Sequence, residues 1–351
     1  MIQDLIFLGA GASASEGAPL QGALLREYYR FSRDEPQSIH QDMNQGLSSF
    51  FKTFFGIDVE RGDLERIDFP TFEECLGILE LALNRQESFR DFNLTPEKPD
   101  VQRLRQHLIF LIAIILNNKL RTVVGHHATL VKRLLRERKL RSTAFISSNY
   151  DILIDNALID QFDAGVDLDY GVGFTNFARE RNWARPRSRN AVELFKIHGS
   201  LNWLYCPTCL SLTLTPKDKR VATLIFKPQP CPECKTHMTP IIIPPTFFKV
   251  MSNYHLQQTW KKAEGYLRHA RRLFFCGYSF PDADVHVKYL LKRAELNRRV
   301  PLDVFVINHH ERKTEHESQE EKKRFERFFR DKCRIHYTDS SFQDFCERGI
   351  D

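Results

Sequence analysis

Five short apolar runs, each closing on small or polar residues, constrain this chain more than any other feature. They are LIFLG at 5–9, STAFISSNYD at 142–151, VELFKIHGS at 192–200, RRLFFCGYSF at 271–280 and PLDVFVIN at 301–308. Their apolar residues are largely continuous rather than alternating, the pattern of strands buried on both faces. Between the last two lies DADVHVKYLLKRAEL at 282–296, with helical spacing. Apolar strands separated by helices predict an α/β fold built on a Rossmann-like, doubly wound parallel sheet. Such sheets bind ligands outside the carboxyl ends of their strands, and here those ends carry Gly, Ser, Asn or His.

A single domain over 1–351 is expected, with two insertions in the sheet. The first is a helical block at 20–140, where FEECLGILELAL at 72–83 and ATLVKRLLRERKL at 128–140 repeat apolar residues at helical intervals. The second is 201–245, rich in proline and holding two cysteine pairs. The segment 309–351 is expected to be helical; its charged stretch 309–332 would pack Phe325, Phe328 and Phe329 inward. A 351-residue chain with 42% hydrophobic residues, 27% charged residues and a net charge of +6 suits a soluble globular protein with a mild preference for anionic partners. The longest apolar run, LIFLIAIIL at 108–116, is too short to span a bilayer. The amino terminus enters a strand almost at once instead of a leader, so a cytoplasmic protein without a membrane partner is expected.

Cys206, Cys209, Cys231 and Cys234 form two Cys-Pro-x-Cys turns. Two such turns converging give tetrahedral thiolate ligation of a structural Zn2+, closed to substrate and water. His237 is the alternative fourth ligand, but the even pairing favours the cysteines. Cys75, Cys276, Cys333 and Cys346 stand singly, as small core residues do. With zinc satisfied by sulfur, His198 is not needed as a ligand. It lies at a strand end before a glycine, open either to chemistry or to a buried hydrogen bond with the backbone.

The turn GAGAS, 9–13, follows the first strand and precedes a helix expected at LQGALLREYYRF. Gly9 and Gly11 would let backbone amides approach a pyrophosphate, with the helix amino terminus favouring its charge. Ala14 replaces the third glycine of a dinucleotide fingerprint, and no Gly-Lys-Ser/Thr follows, so this is no nucleoside-triphosphate P-loop.

In their order these motifs resemble the sirtuin family. They are Gly9-Ala10-Gly11-Ala12-Ser13, then Asn149-Tyr150-Asp151, His198-Gly199, the four cysteines, Gly277-Tyr278-Ser279 and Asn308. The resemblance implies NAD+ as substrate. Gly9, Ala10, Gly11, Ala12 and Ser13, with Pro19 beyond them, would hold its phosphates and adjacent ribose. Asn149 and Asp151 would flank the nicotinamide ribose and His198 would be the catalytic histidine. Gly277, Tyr278 and Ser279 would meet the adenosine half, with Asn308 near the adenine ribose. The chain departs from the protein deacylases of the family at Ala18-Pro19-Leu20-Gln21, at Ser148, in IIIPPTFFKV at 241–250 and in the length of its helical block. In these features it is similar to the sirtuin-like NAD hydrolases of bacterial anti-phage defence. That similarity implies an NAD+ glycohydrolase controlled by homo-oligomerisation or by a separate activating protein such as an ATPase.

An NAD-dependent protein deacylase is the alternative. A zinc-containing nucleic-acid-binding module is a second, suggested by the five arginines and one tryptophan of ARERNWARPRSR at 178–189. The same loop precedes the His198 strand and would equally serve as a lid over the NAD+ pocket.

Overall fold

The computed structural model describes residues 2–350 apart from 95–99, 162–164, 177–190, 216–228, 243–252, 283, 310–312 and 331–332. The described residues divide into two compact units, one built from 2–18, 123–242 and 253–350, the other from 19–122.

The first unit is organised by a seven-stranded sheet. Its strands are β1 (Asp4–Leu8), β2 (Thr143–Ser147), β3 (Asp167–Asp169), β5 (Ala191–Lys196), β9 (Arg272–Cys276), β10 (Leu302–Ile307) and β11 (Cys333–Thr338). They lie in the order β11-β10-β9-β1-β2-β5-β3, and every pairing is parallel. Successive side chains of β1 enter opposite cores, as the two-residue period of a strand requires. Ile6 and Leu8 join Leu130, Val131 and Leu134 of α6 (His126–Arg136) and Ile154 and Leu158 of α7 (Leu153–Ile159). Leu5 and Phe7 join Ala263 and Leu267 of α8 (Tyr254–His269), Val287 and Leu290 of α9 (Val285–Leu296) and Phe325 of α10 (Glu315–Phe328). Both faces are covered, so the sheet is doubly wound as the continuous apolar runs predict. It grows outward from β1 in both directions, which puts the topological switch point between β1 and β9.

Three features differ from the sequence expectation. The segment 309–351 is not helical throughout, because β11 separates α10 from α11 (Phe342–Arg348). β11 is an edge strand with residues only half covered, so CRIHYT lacks the continuous apolar signature of its neighbours. The helix α6 packs against α7 and α11 within the sheet unit, although its amphipathic pattern runs on from the helical block. Finally, a second sheet, β4-β7-β6-β8, is built from β4 (Thr175–Asn176), β6 (Gly199–Tyr205), β7 (Leu212–Leu214) and β8 (Thr239–Ile242). β6 runs antiparallel to β7 and β8 and leads directly into Cys206.

The second unit is helical: α2 (Leu24–Asp34), α3 (Gln41–Phe55), α4 (Phe72–Arg85) and α5 (Val101–Lys119). α5 packs against the other three and is apolar nearly all round for that reason. Side-chain caps start two of these helices, Thr71 accepting from the Glu74 amide at 3.1 Å and Asp100 from the Arg103 amide at 2.6 Å. No helix among the described residues is long and apolar enough to cross a membrane.

Candidate functional site

The glycine turn forms where β1 and β9 end side by side. The Gly9 amide donates to the Cys276 carbonyl at 3.0 Å, and the Gly11 amide to the Gly277 carbonyl at 2.8 Å. A Cβ on Gly9 would sit 2.6 Å from the Gly277 carbonyl oxygen. One on Gly277 would sit 2.1 Å from the Ala12 nitrogen, and Gly277 itself has φ +61°. These glycines therefore serve first the close approach of two strand ends, and the Gly9 and Gly11 amides are committed inside the protein. The turn coils at once into the short helix α1 (Ala10–Ala14); the helix expected to follow it, α2, belongs to the other unit, as does Pro19.

Beside this turn lies the end of β2. The Asn149 side-chain amide donates both to the Gly9 carbonyl and to Ser13 Oγ, each at 2.8 Å. Ser13 Oγ in turn donates to Asp151 Oδ2 at 2.6 Å, and Asp151 Oδ1 accepts from the Leu153 amide at 3.1 Å, at the start of α7. With both hydrogens of its amide nitrogen donated, what Asn149 still offers chemically is the acceptor capacity of its carbonyl Oδ1. His198 sits in the turn between β5 and β6, 5% exposed, with Nδ1 at 3.1 Å from the Ser148 carbonyl. A carbonyl only accepts, so Nδ1 carries a proton, and in the neutral imidazole the lone pair is then on Nε2. The imidazole is thus attached one residue from Asn149, its centroid 6.4 Å from that of Tyr150.

The remaining expected residues are less uniform. Tyr278 is buried among Phe7, Phe275 and Phe280 and gives its hydroxyl to Asp284 at 2.9 Å, with burial pushing its pKa far up. Ser279 is exposed, and its carbonyl accepts from Arg324. Asn308 is buried, its amide nitrogen donating to the Tyr278 carbonyl at 3.0 Å and to Glu321 of α10 at 2.6 Å. Of the segment 241–250 only Ile241 and Ile242 are described, and 178–189 lies outside the described residues, as does its lid role.

Sequence reasoning missed a second layer of buried polar groups around these residues. Glu16, two residues beyond α1, is 2% exposed and accepts from the Gly125 amide at 2.7 Å and from both the His127 amide and its ring at 3.0 Å. Burial alone raises the Glu16 pKa, but these hydrogen bonds outweigh it and hold the group at about 2. Glu321, also buried, accepts from Asn308, Tyr337 and Lys313. Lys196, Asp155 and Tyr170 form a third buried group. Single charges in amphipathic text carry no local signal of burial, so nothing in the sequence marks them.

The four sulfurs of Cys206, Cys209, Cys231 and Cys234 lie within 4.8 Å of one another, with Cys206 and Cys234 at 3.3 Å and Cys209 and Cys231 at 3.6 Å. Tetrahedral zinc thiolates have sulfurs about 3.8 Å apart, so the donor set fits that ion. The knuckles match each other: Leu210 donates to the Cys206 carbonyl and Lys235 to that of Cys231, with φ +59° and +65° respectively. Ser211 hydrogen-bonds the Cys231 sulfur and holds its thiol down to about 6, nearer the thiolate a metal needs. His237 is not in this set. His198 stands apart from it too, separated by the seven residues of β6, on the order of 20 Å of extended chain.

The fold and this site define a doubly wound α/β protein with strand-end polar residues at its switch point and a four-cysteine cluster on a side sheet. A family model of the SIR2-like domain matches residues 143–329, and the chain belongs to that family. Solved structures similar to it include a Sir2 enzyme from a study of Sir2 mechanism and regulation, at 12% identity over 99% of this chain and 91% of that one, with a TM-score of 0.43. A point mutant of a Sir2 homologue in complex with ADP ribose has 12% identity over 98% and 89%, with a TM-score of 0.42. A structure on sirtuin substrate affinity has 13% identity over 99% and 91%, with a TM-score of 0.38. No curated protein matches the chain.

Proposed function

We propose that this chain cleaves the bond between nicotinamide and ribose in NAD+, releasing nicotinamide and ADP-ribose. What carries the proposal is the single hydrogen-bonded set of Gly9, Ser13, Asn149 and Asp151 at the switch point, with His198 tethered to the Ser148 carbonyl beside it. As the nicotinamide ring takes the bonding electrons, positive charge grows on the ribose. Catalysis of that step depends chiefly on orientation and field. His198, with its lone pair on Nε2, accepts a proton from a ribose hydroxyl or from attacking water. Asn149 Oδ1 orients the same hydroxyl or water, and the carboxylate of Asp151 favours the developing cation. Gly277, Tyr278, Ser279 and Asn308 would flank the adenosine half, and a bound Zn2+ would be structural.

The biological role that fits is depletion of cellular NAD+ in anti-phage defence. Unrestrained turnover would kill its own cell, so activity is expected to rise with self-assembly or with a separate activating protein such as an ATPase. The test follows nicotinamide release from NAD+ across a range of protein concentrations. His198→Ala and Asn149→Ala should each slow it about a hundredfold or more; undiminished turnover in both would sink the assignment. Acylated ADP-ribose formed only with an acylated peptide would identify a protein deacylase instead.

A further inference from the structure

The segment Ser148–Ile152 belongs to no strand or helix, yet three of its carbonyls accept from residues of β5, β6 and the turn between them. The Ser148 carbonyl accepts from the His198 ring at 3.1 Å, that of Tyr150 from the Leu201 amide at 2.9 Å, and that of Asp151 from the Lys196 ammonium. Lys196 is completely buried, as is its ion-pair partner Asp155, at 3.4 Å. Asp155 also accepts from the Tyr170 hydroxyl, which in turn accepts from Asn202 at 3.3 Å. Burial pushes the Tyr170 pKa far up, so its hydroxyl stays a neutral donor to Asp155.

A buried ion pair is poor value as stabilisation, because desolvating two charges offsets their attraction, and apolar residues of similar volume often serve as well or better. Its use here must be sought in what the ammonium reaches. Among the described residues, the carbonyl it reaches belongs to Asp151, in the segment that carries Asn149. The same segment is tethered through Ser148 to His198, two residues beyond Lys196 along the same chain.

We propose that Lys196 is a positioning residue: held by Asp155, its ammonium clamps the Asp151 carbonyl and sets the Asn149–Asp151 segment against the His198 imidazole. It touches no substrate. This rests on the NAD+-cleavage reading for its catalytic consequence, but the clamp has a consequence of its own in the mobility of 148–152.

The experiment compares the full-length chain with Lys196→Met and with the double variant Lys196→Met/Asp155→Leu. The single variant leaves Asp155 buried without its counter-charge and should lose thermal stability. The double variant removes both charges and should melt close to the parent, which separates positioning from folding. In the double variant kcat for nicotinamide release should fall about a hundredfold with KM changed less than about threefold. Amide hydrogen exchange within 148–152 should quicken at least about tenfold while β1 and β9 stay as protected as in the parent. Unchanged exchange overturns the clamp whatever the turnover, and faster exchange with parental kcat overturns its catalytic role. A parent that releases no nicotinamide at any protein concentration defeats self-activated cleavage instead, and the exchange comparison then decides the clamp alone.

Discussion

Gly277 meets the glycine turn so closely that no side chain fits between the two strand ends. Its left-handed φ and the 2.1 Å at which an added Cβ would meet the Ala12 nitrogen act in the same direction. Gly277→Ala should cost about 2–4 kcal/mol, the sum of left-handed strain and overpacking, read as a lower midpoint in urea unfolding. These residues were legible as a motif because glycine announces itself in text. The reason for them was not: a pyrophosphate cradle and a crossing of two backbones demand the same residue type. His198 was legible as a strand-end histidine, whereas the Nδ1–H to carbonyl bond that settles its tautomer depends on Ser148, fifty positions away in the chain.

Among elements, the amino terminus of α6 is anchored by a carboxylate from another part of the chain. Glu16 takes the amides at Gly125 and His127 that begin the helix, and the His127 ring packs on Phe342 of α11, 4.9 Å between centroids. The Glu16 pKa is lowered on folding from 4.5 to about 2, so its stabilisation is full above 4.5 and lost as pH falls through about 2. Glu16→Gln should therefore unfold about 3 kcal/mol more easily at pH 7. The gap between variant and parent should close between pH 4.5 and 2 in denaturant melts; a gap independent of pH would refute the ionic anchor. The same helix shows why boundaries were misread: its amphipathic stripe is equally suited to a bundle or to a sheet, and only the partner decides.

For the whole molecule, the cysteine cluster is the clearest test of how parts are held together. The protein should carry one tightly bound zinc, measurable by metal analysis. Cys231→Ser should reduce zinc retention about tenfold or more and lower the melting temperature, with no group of the strand-end site removed. Retention of full zinc would place the ion elsewhere. The doubly wound sheet, the strand ends that bear polar residues and the pairing of the knuckles were settled by the amino-acid sequence alone, since each rests on local periodicity or on residue types that only one chemistry uses. The second sheet, the edge strand β11, the placing of α6 and the buried partners Glu16, Glu321, Asp155 and Lys196 were decided by the tertiary structure. Their common physical reason is that burial of a charge, or coverage of a helix face, is a property of what packs against it. That information is distributed over residues far apart in the chain, and no window of sequence contains it.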